Sequence, residues 1–182
     1  MISLKFFKTF IKICLWLFII GIVIMSSLYI YAYFTPYINI KSGNAIQILD
    51  NNDSIVYQGS SSNKWVSLDE ISDDVKNAVI ATEDKYFYKH LGFDYLRIIK
   101  AMALNIKNKS IVQGASTISQ QYVKNLFLDF DQNWNRKIEE AFLTLELEMH
   151  YTKDEILEGY LNTINYGGVF GIENASKYYF DK

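Results

Sequence analysis

The 182-residue sequence has one cysteine and one proline. The single cysteine, Cys14, excludes a disulfide within the chain, so packing alone must hold the fold together. The two histidines and one cysteine form no cluster with the spacing of a metal site. The formal net charge of −2 gives no signal for nucleic acid or any other large polyanion as a partner.

Acidic residues are missing before Asp50, and no charged residue occurs between 13 and 40. The apolar run 13–34 would measure about 33 Å as a helix, which is enough to cross a bilayer core. Because the lysines at 5, 8 and 12 precede it, we predict a cytoplasmic basic tail over 1–12 and a transmembrane anchor over 13–35, with the rest outside. A cleaved signal peptide is the alternative, but the run is long for one and lacks a small-residue cleavage site.

Proline is absent after Pro36, and from Asp69 onward the apolar spacing is helical. The linker 36–68 contains "AIQILDNNDSIVYQG", whose alternation around Asn-Asn-Asp predicts a hairpin-like segment. The fold class is therefore mainly α. The predicted helices lie near 73–87, 94–107, 117–128, 134–151, 153–163 and 171–180.

Charge is unevenly distributed along the helical region. Residues 85–128 carry seven basic side chains and one acidic one, whereas 129–158 carry nine acidic and three basic ones. Solvated faces that happen to differ would explain this, and so would a basic segment that faces phosphate or a membrane surface. The sequence leaves both interpretations open.

The stretch "ATEDKYFYKHLGFD" places Glu83 and Asp84 beside a group of aromatic residues. Glu83 is predicted near the end of a helix with one apolar face. A carboxylate held against apolar side chains can serve as an acid or base near neutral pH. A solvated helix end is the alternative for these residues taken alone.

The stretch "QGASTISQQYVKNLFL" combines small residues with a predicted helix start, which Ser116 or Thr117 can cap. Thr117, Gln120, Gln121 and Lys124 then share one helical face. Uncharged donors around one lysine suit a ligand that carries phosphate. A capped surface helix is the alternative.

The stretch "RKIEEAFLTLELEMHYTKDEILEGYLN" predicts a helix with an apolar core stripe. That stripe comprises Ile138, Ala141, Phe142, Leu145 and Met149. A polar row on the opposite side comprises Arg136, Glu140, Thr144 and Glu148. Arg136 and Glu140 can form an ordinary ion pair one turn apart, worth a few tenths of a kcal/mol.

Taken in order, "ATEDKYFYKHLGFD", "GASTISQQ…KN", "RKIEEAF" and "GVFGIENASKYYF" resemble the peptidoglycan glycosyltransferase family. This is the transglycosylase domain of class A penicillin-binding proteins and of monofunctional transglycosylases. The resemblance covers about 65–182 and implies a lysozyme-like helical domain over 69–182, preceded by the membrane helix and the hairpin-like segment. It implies an enzyme that polymerises lipid II into β-1,4 glycan strands with inversion and releases undecaprenyl pyrophosphate.

The resemblance also implies which residues of this sequence form the site, by their positions in the motifs. Glu83 resembles the general base for the acceptor 4-hydroxyl, and Glu140 resembles the second essential acid, on the donor side. The residues implied to hold the pyrophosphate are Lys124 and Arg136, assisted by Ser116, Thr117, Gln120 and Gln121. Asp84 supports the site or, in some members, meets a divalent cation (Mg²⁺ or Mn²⁺); the sequence itself requires no cofactor.

The implied partners are lipid II, the growing glycan strand, the bacterial membrane and other cell-wall synthesis proteins, with no nucleic acid. The implied location is the bacterial cell membrane, in a single pass. Ala115, Ser119 and Lys100 are mild departures from the family pattern. Because family domains continue with further helices, we expect a domain that is truncated at its C-terminal end. A lysozyme-like glycan hydrolase and an inactive membrane-anchored scaffold or binding fragment are the alternatives.

Overall fold

A computed structural model describes residues 4–38, 40, 47–49, 55–58, 65–128 and 134–181. The chain divides into two compact units, 1–36 and 37–182. The first unit is one helix, α1 (Leu4–Phe34). Within it, the 29 residues Phe6–Phe34 are long and apolar enough to cross a membrane, by length and composition alone. The helix starts well before the predicted span because Phe6, Phe7, Phe10 and Ile11 extend its apolar surface among the first lysines.

The second unit contains one small antiparallel sheet. Strand β1 (Gln47–Leu49) pairs with β2 (Ile55–Gln58), so that Gln47 lies opposite Gln58 and Ile48 opposite Tyr57. This is the predicted hairpin-like segment. The Asn-Asn-Asp turn at its centre lies outside the described residues.

Helices make up most of the described part of the second unit, which confirms the mainly α prediction. They are α2 (Asp73–Glu83), α3 (Tyr95–Asn108), α4 (Ile118–Phe127), α5 (Trp134–His150), α6 (Lys153–Thr163) and α7 (Ile172–Phe180). The first of these was predicted to run to residue 87 but ends at Glu83. Asp84 leaves helical geometry with φ −155° and ψ 75°, and a short 3₁₀ turn, Phe87–Lys89, follows.

The core is built around α4, which packs between α5 and α6. Apolar side chains from these three helices are fully buried there: Ile118, Tyr122, Val123, Leu147, Ile156, Leu157, Tyr160 and Leu161. Gly159 lets α6 approach α4 closely, because a Cβ there would lie 2.0 Å from the Tyr122 hydroxyl. The start of α4 is therefore held at a fixed place in the core.

The predicted core stripe of α5 is wrong for part of its length. Ile138 is 56% exposed and Phe142 is 38% exposed, whereas Glu140 and Thr144 are buried, with exposures of 2% and 0%. Glu148, from the same polar row, is also buried. Burial of these polar side chains is stable because each has a hydrogen-bond partner in the protein.

Candidate functional site

Glu83 is the last residue of α2, and its side chain is half-buried. Its Oε2 accepts a hydrogen bond of 2.8 Å from Nε2 of Gln121 on α4. Its backbone carbonyl accepts a hydrogen bond from the guanidinium of Arg97 on α3. The carboxylate is thus oriented by a neutral donor and stays accessible to a ligand.

Glu140, on α5, is buried almost completely. Its Oε1 accepts a hydrogen bond of 3.1 Å from Nε2 of Gln120 and is ion-paired with the ammonium of Lys137. The side chain of Lys137 is 46% exposed, whereas that of Glu140 is 3% exposed. The Lys137 ammonium therefore faces solvent, while the Glu140 carboxylate that holds it is buried. Sequence reasoning missed Lys137, although its spacing of three residues before Glu140 was a usable signal.

Two consecutive glutamines on α4 connect the site. Gln120 contacts Glu140 and Gln121 contacts Glu83, so the first turn of α4 brings both predicted acids to one helix end. The side-chain carbonyl oxygen of each glutamine also accepts a hydrogen bond. That of Gln120 accepts from the Thr117 backbone N–H at 3.2 Å, and that of Gln121 accepts from the Tyr160 hydroxyl at 3.1 Å.

Asp84 joins the end of α2 to the start of α4. Its side chain is fully buried. One oxygen accepts from the Ile118 backbone N–H at 3.1 Å, and His90 Nε2 lies 3.0 and 3.1 Å from the two oxygens. Because Asp84 follows Glu83 directly, these contacts fix the position of Glu83 relative to Gln121.

Asp84 does not fit the divalent cation that the resemblance allows there. A hard cation needs several oxygen ligands and room for water. The Asp84 oxygens already receive protein donors, and the part of the chain that the structure describes has no group of three or more His, Cys, Asp or Glu arranged for a metal.

Thr117 is fully buried as the N-cap of α4. Its hydroxyl donates to the Gly92 carbonyl at 2.6 Å and accepts from the Gln120 backbone N–H at 3.2 Å. Gly92 has φ +85°, and a Cβ there would lie 2.8 Å from Thr144. Thr117 therefore positions the helix and is not available to a phosphate.

An ion pair between the half-buried Lys153 and the buried Glu148 lies beside the same turn of α4. The Ser119 hydroxyl donates to Glu148, whose Oε1 also accepts from Lys153 Nζ at 2.7 Å. Lys153 Nζ lies 4.4 Å from the ring centre of the buried Phe87. These contacts hold α4, α5 and α6 to the segment that follows Asp84.

Lys124 and Arg136, which are predicted to hold the pyrophosphate, and Ser116, which is predicted to assist them, are more accessible. Ser116 is exposed, and Lys124 and Arg136 are half-buried. Lys124 lies one turn after Gln120 and Gln121 on α4, so it extends the same face. Contact of these three residues with a phosphate stays a prediction.

A second group of cations lies beside Glu83. A cavity of about 320 Å³ is lined by nine residues: Ala81, Thr82, Lys85, Tyr86, Asp94, Leu96, Arg97, Lys100 and Gln113. Three of these are basic and one is acidic. Sequence reasoning did not assign Lys85, Arg97 and Lys100 to the site, although the basic excess over 85–128 pointed to an anion. Three of the seven basic residues of 85–128 therefore meet at one cavity.

Comparisons with known proteins show the family of this chain. The family model described as Transglycosylase matches residues 51–182, well over half of the chain. Penicillin-binding protein 2D of Bacillus subtilis is 54% identical over 119 residues, which is 65% of this chain and 17% of that protein. A biosynthetic peptidoglycan transglycosylase of Haemophilus influenzae is 50% identical over 119 residues, covering 65% of this chain and 48% of the relative.

A biosynthetic peptidoglycan transglycosylase of Thiobacillus denitrificans matches over a greater length. It is 38% identical over 172 residues, which is 90% of this chain and 72% of the relative. The chain thus spans most of this relative but at most about half of the two others. The chain belongs to the peptidoglycan transglycosylase family.

Proposed function

We propose that the protein is a peptidoglycan glycosyltransferase, which joins lipid II molecules into a β-1,4 glycan strand and releases undecaprenyl pyrophosphate. The observation that carries this is the first turn of α4, where the consecutive residues Gln120 and Gln121 donate to Glu140 and to Glu83. Two carboxylates with unequal burial at one helix end suit two different roles. The growing strand and the bacterial membrane are the other partners, and further cell-wall synthesis proteins are expected.

Glu83 is the group that moves the proton. Its half-buried carboxylate removes the proton from the acceptor 4-hydroxyl as that oxygen bonds to the anomeric carbon of the donor. The bond from the anomeric carbon to the diphosphate oxygen breaks, and the diphosphate leaves with the electron pair. Attack opposite the leaving group inverts the α-linked donor to a β-linked product.

Cations act on the leaving group. A diphosphate leaves with its own negative charge, so it needs electrostatic stabilisation more than a proton. Lys124 and Arg136 are assigned to this role. Glu140 acts on the donor side, where its buried carboxylate holds the ammonium of Lys137 toward the exposed face of α5.

The cavity at the end of α2, lined by residues on both sides of Glu83, supports a polymerase over a glycan hydrolase. Polymerisation brings together two diphosphate-bearing substrates, so it needs two groups of cations, whereas a hydrolase of finished glycan meets no diphosphate. Lys85, Arg97 and Lys100 line the cavity next to the base and suit the acceptor diphosphate. This specific observation favours the transferase over the lysozyme-like alternative.

Incubation of the purified full chain with labelled lipid II in detergent tests the proposal. The expected product is polymeric glycan that a muramidase digests. Finished glycan strands, supplied in parallel, should remain intact. Shortening of those strands would establish a hydrolase instead, and no reaction with either substrate would favour a binding module.

Lys124→Ala is expected to lower kcat/KM for lipid II by about ten- to a hundredfold, because a charged hydrogen bond to phosphate contributes about 1.5–3 kcal/mol. Lys107→Ala removes an exposed lysine from α3 and is the matched control. Turnover of both variants is measured at low and high salt. Equal effects of the two substitutions would show that Lys124 is an ordinary surface lysine.

The N-terminal helix is proposed as an uncleaved anchor with its N-terminus in the cytoplasm and the catalytic domain outside. A periplasmic-type reporter fused after the last residue should be active, and the membrane-bound protein should keep its full mass. Mass spectrometry of the extracted protein and a cytoplasmic-type reporter give the two checks. A mature N-terminus near Tyr37 would establish a signal peptide.

A further inference from the structure

We infer that Tyr160 is a positioning residue for the base: its hydroxyl holds the Gln121 amide in the one orientation that donates to Glu83. This rests on the proposed function. The Tyr160 hydroxyl lies 3.1 Å from Gln121 Oε1, and Gln121 Nε2 lies 2.8 Å from Glu83 Oε2. The three side chains form one directed chain of hydrogen bonds from α6 through α4 to the end of α2.

The direction of this chain follows from hydrogen-bond chemistry. A carboxylate only accepts, so it must face the NH₂ group of Gln121 and not the carbonyl oxygen. The two ends of a primary amide have nearly the same shape, so shape alone does not prevent a rotation that would turn the oxygen toward Glu83. A hydroxyl donor on the carbonyl oxygen makes that rotation unfavourable, and Tyr160 supplies it.

Tyr160 is suited to act as a permanent donor. It is fully buried, and burial together with the nearby charge of Glu83 raises the pKa of its phenol well above the ordinary value. The hydroxyl therefore keeps its proton at any pH at which the enzyme works. A carboxylate in its place would be ionised at neutral pH and could not donate, and an imidazole would gain or lose a proton near neutrality.

The backbone around Tyr160 is fixed independently of the site. Thr152 and Glu155 cap the start of α6 reciprocally. Near the end of the helix, Asn162 Oδ1 accepts from the Val66 N–H at 2.9 Å, and its Nδ2 donates to the Val66 carbonyl at 2.8 Å. The tyrosine hydroxyl is thus presented to Gln121 from a rigid element.

Gln120 shows the same arrangement with a different donor. Its carbonyl oxygen accepts from the Thr117 backbone N–H, and its NH₂ group donates to Glu140. In both glutamines, a donor binds the amide oxygen, and the amide NH₂ group donates to a glutamate. The donor to Gln121 is a tyrosine hydroxyl, which the substitution of phenylalanine removes without changing the rest of the side chain.

Tyr160→Phe should lower kcat by about three- to tenfold and leave KM unchanged, since the loss is that of one neutral hydrogen bond acting on the base. Tyr122→Phe is the matched control. Tyr122 is also fully buried, also has a phenol pKa raised by burial, and donates to the Ile40 backbone carbonyl at 2.7 Å. Both variants should lose similar thermal stability, but only Tyr160→Phe should lose kcat.

A double-mutant cycle separates positioning from a general loss of stability. In a Gln121→Met protein the hydroxyl has no amide to hold, so adding Tyr160→Phe should cause no further loss of kcat. Full additivity of the two substitutions would overturn the inference. So would an unchanged kcat for Tyr160→Phe, or an equal loss for Tyr122→Phe.

A readout without turnover distinguishes failure of this inference from failure of the proposed function. If the wild-type chain makes no polymer, the proposed function fails, and Tyr160 is judged by NMR of the Gln121 side-chain NH₂, assigned through Gln121→Met. We expect slow hydrogen exchange of this group in the wild type and in Tyr122→Phe, and at least tenfold faster exchange in Tyr160→Phe. Equal exchange in all three proteins would overturn the inference.

Discussion

Glu83→Gln is expected to lower lipid II polymerisation by about 10²- to 10⁴-fold, the usual contribution of a general base. The substitution keeps the shape of the side chain and removes its ability to accept the proton of the acceptor hydroxyl. The amide oxygen of the substituted side chain can still accept the hydrogen bond from Gln121, so the end of α2 should remain where it is. The measurement is kcat in a continuous lipid II assay, together with the melting temperature.

Glu146→Gln is the control for this experiment. Glu146 is also half-buried but lies on α5, away from the contacts of the first turn of α4. It should keep near-normal turnover and a near-normal melting temperature. A folded Glu83→Gln protein that retains near-normal turnover would remove Glu83 from the role of base.

The sequence predicted the helices of the second unit well, because their apolar spacing and their caps act locally. The capping pair of Thr152 and Glu155 at the start of α6 is an example. The predicted end of α2 was late because the cause of the break is not local. Asp84 turns away from the helix to reach the N–H of Ile118, a residue far along the chain.

The polar row of α5 shows that apolar periodicity alone does not predict which face of a helix is buried. The pattern placed Glu140 and Glu148 outside because each is charged, yet both lie inside, where Gln120, Lys137, Ser119 and Lys153 satisfy them. Whether a buried carboxylate finds hydrogen-bond partners depends on which helices pack together. The apolar periodicity of one helix does not show which other helices it contacts. The same limit applies to α4, where the shared face of Gln120 and Gln121 was predicted, but not the glutamates that it meets.

The sequence named several residues of the candidate site, but it did not predict the hydrogen bonds that connect them. Motif resemblance named Glu83 and Glu140, and helical spacing grouped the two glutamines. Tyr160 carried no signal beyond that of an apolar core residue, since its hydroxyl acquires a role only when α6 packs against α4. Buried hydroxyls that contact polar side chains are found from structure, not from spacing.

Glu140→Gln is the second substitution expected to have a large effect, about 10²- to 10³-fold on kcat, which is the range for losing one preorganised electrostatic group. The buried carboxylate holds the Lys137 ammonium and accepts from Gln120. A glutamine has no charge with which to hold the ammonium, so Lys137 is free to turn into solvent. The measurement is kcat and KM for lipid II, with the melting temperature recorded for each variant.

Glu139→Gln provides a control one residue away on the same helix, because Glu139 is exposed where Glu140 is buried. It should leave kcat unchanged. Lys137→Met separates the two functions of the pair: if Glu140 acts by holding the cation, this variant should lose nearly as much kcat as Glu140→Gln. If Glu140 acts on the donor directly, Lys137→Met should lose far less. Equal and small effects of all three substitutions would contradict an electrostatic role for the pair, and would leave Glu83 and the cations beside it to account for the chemistry.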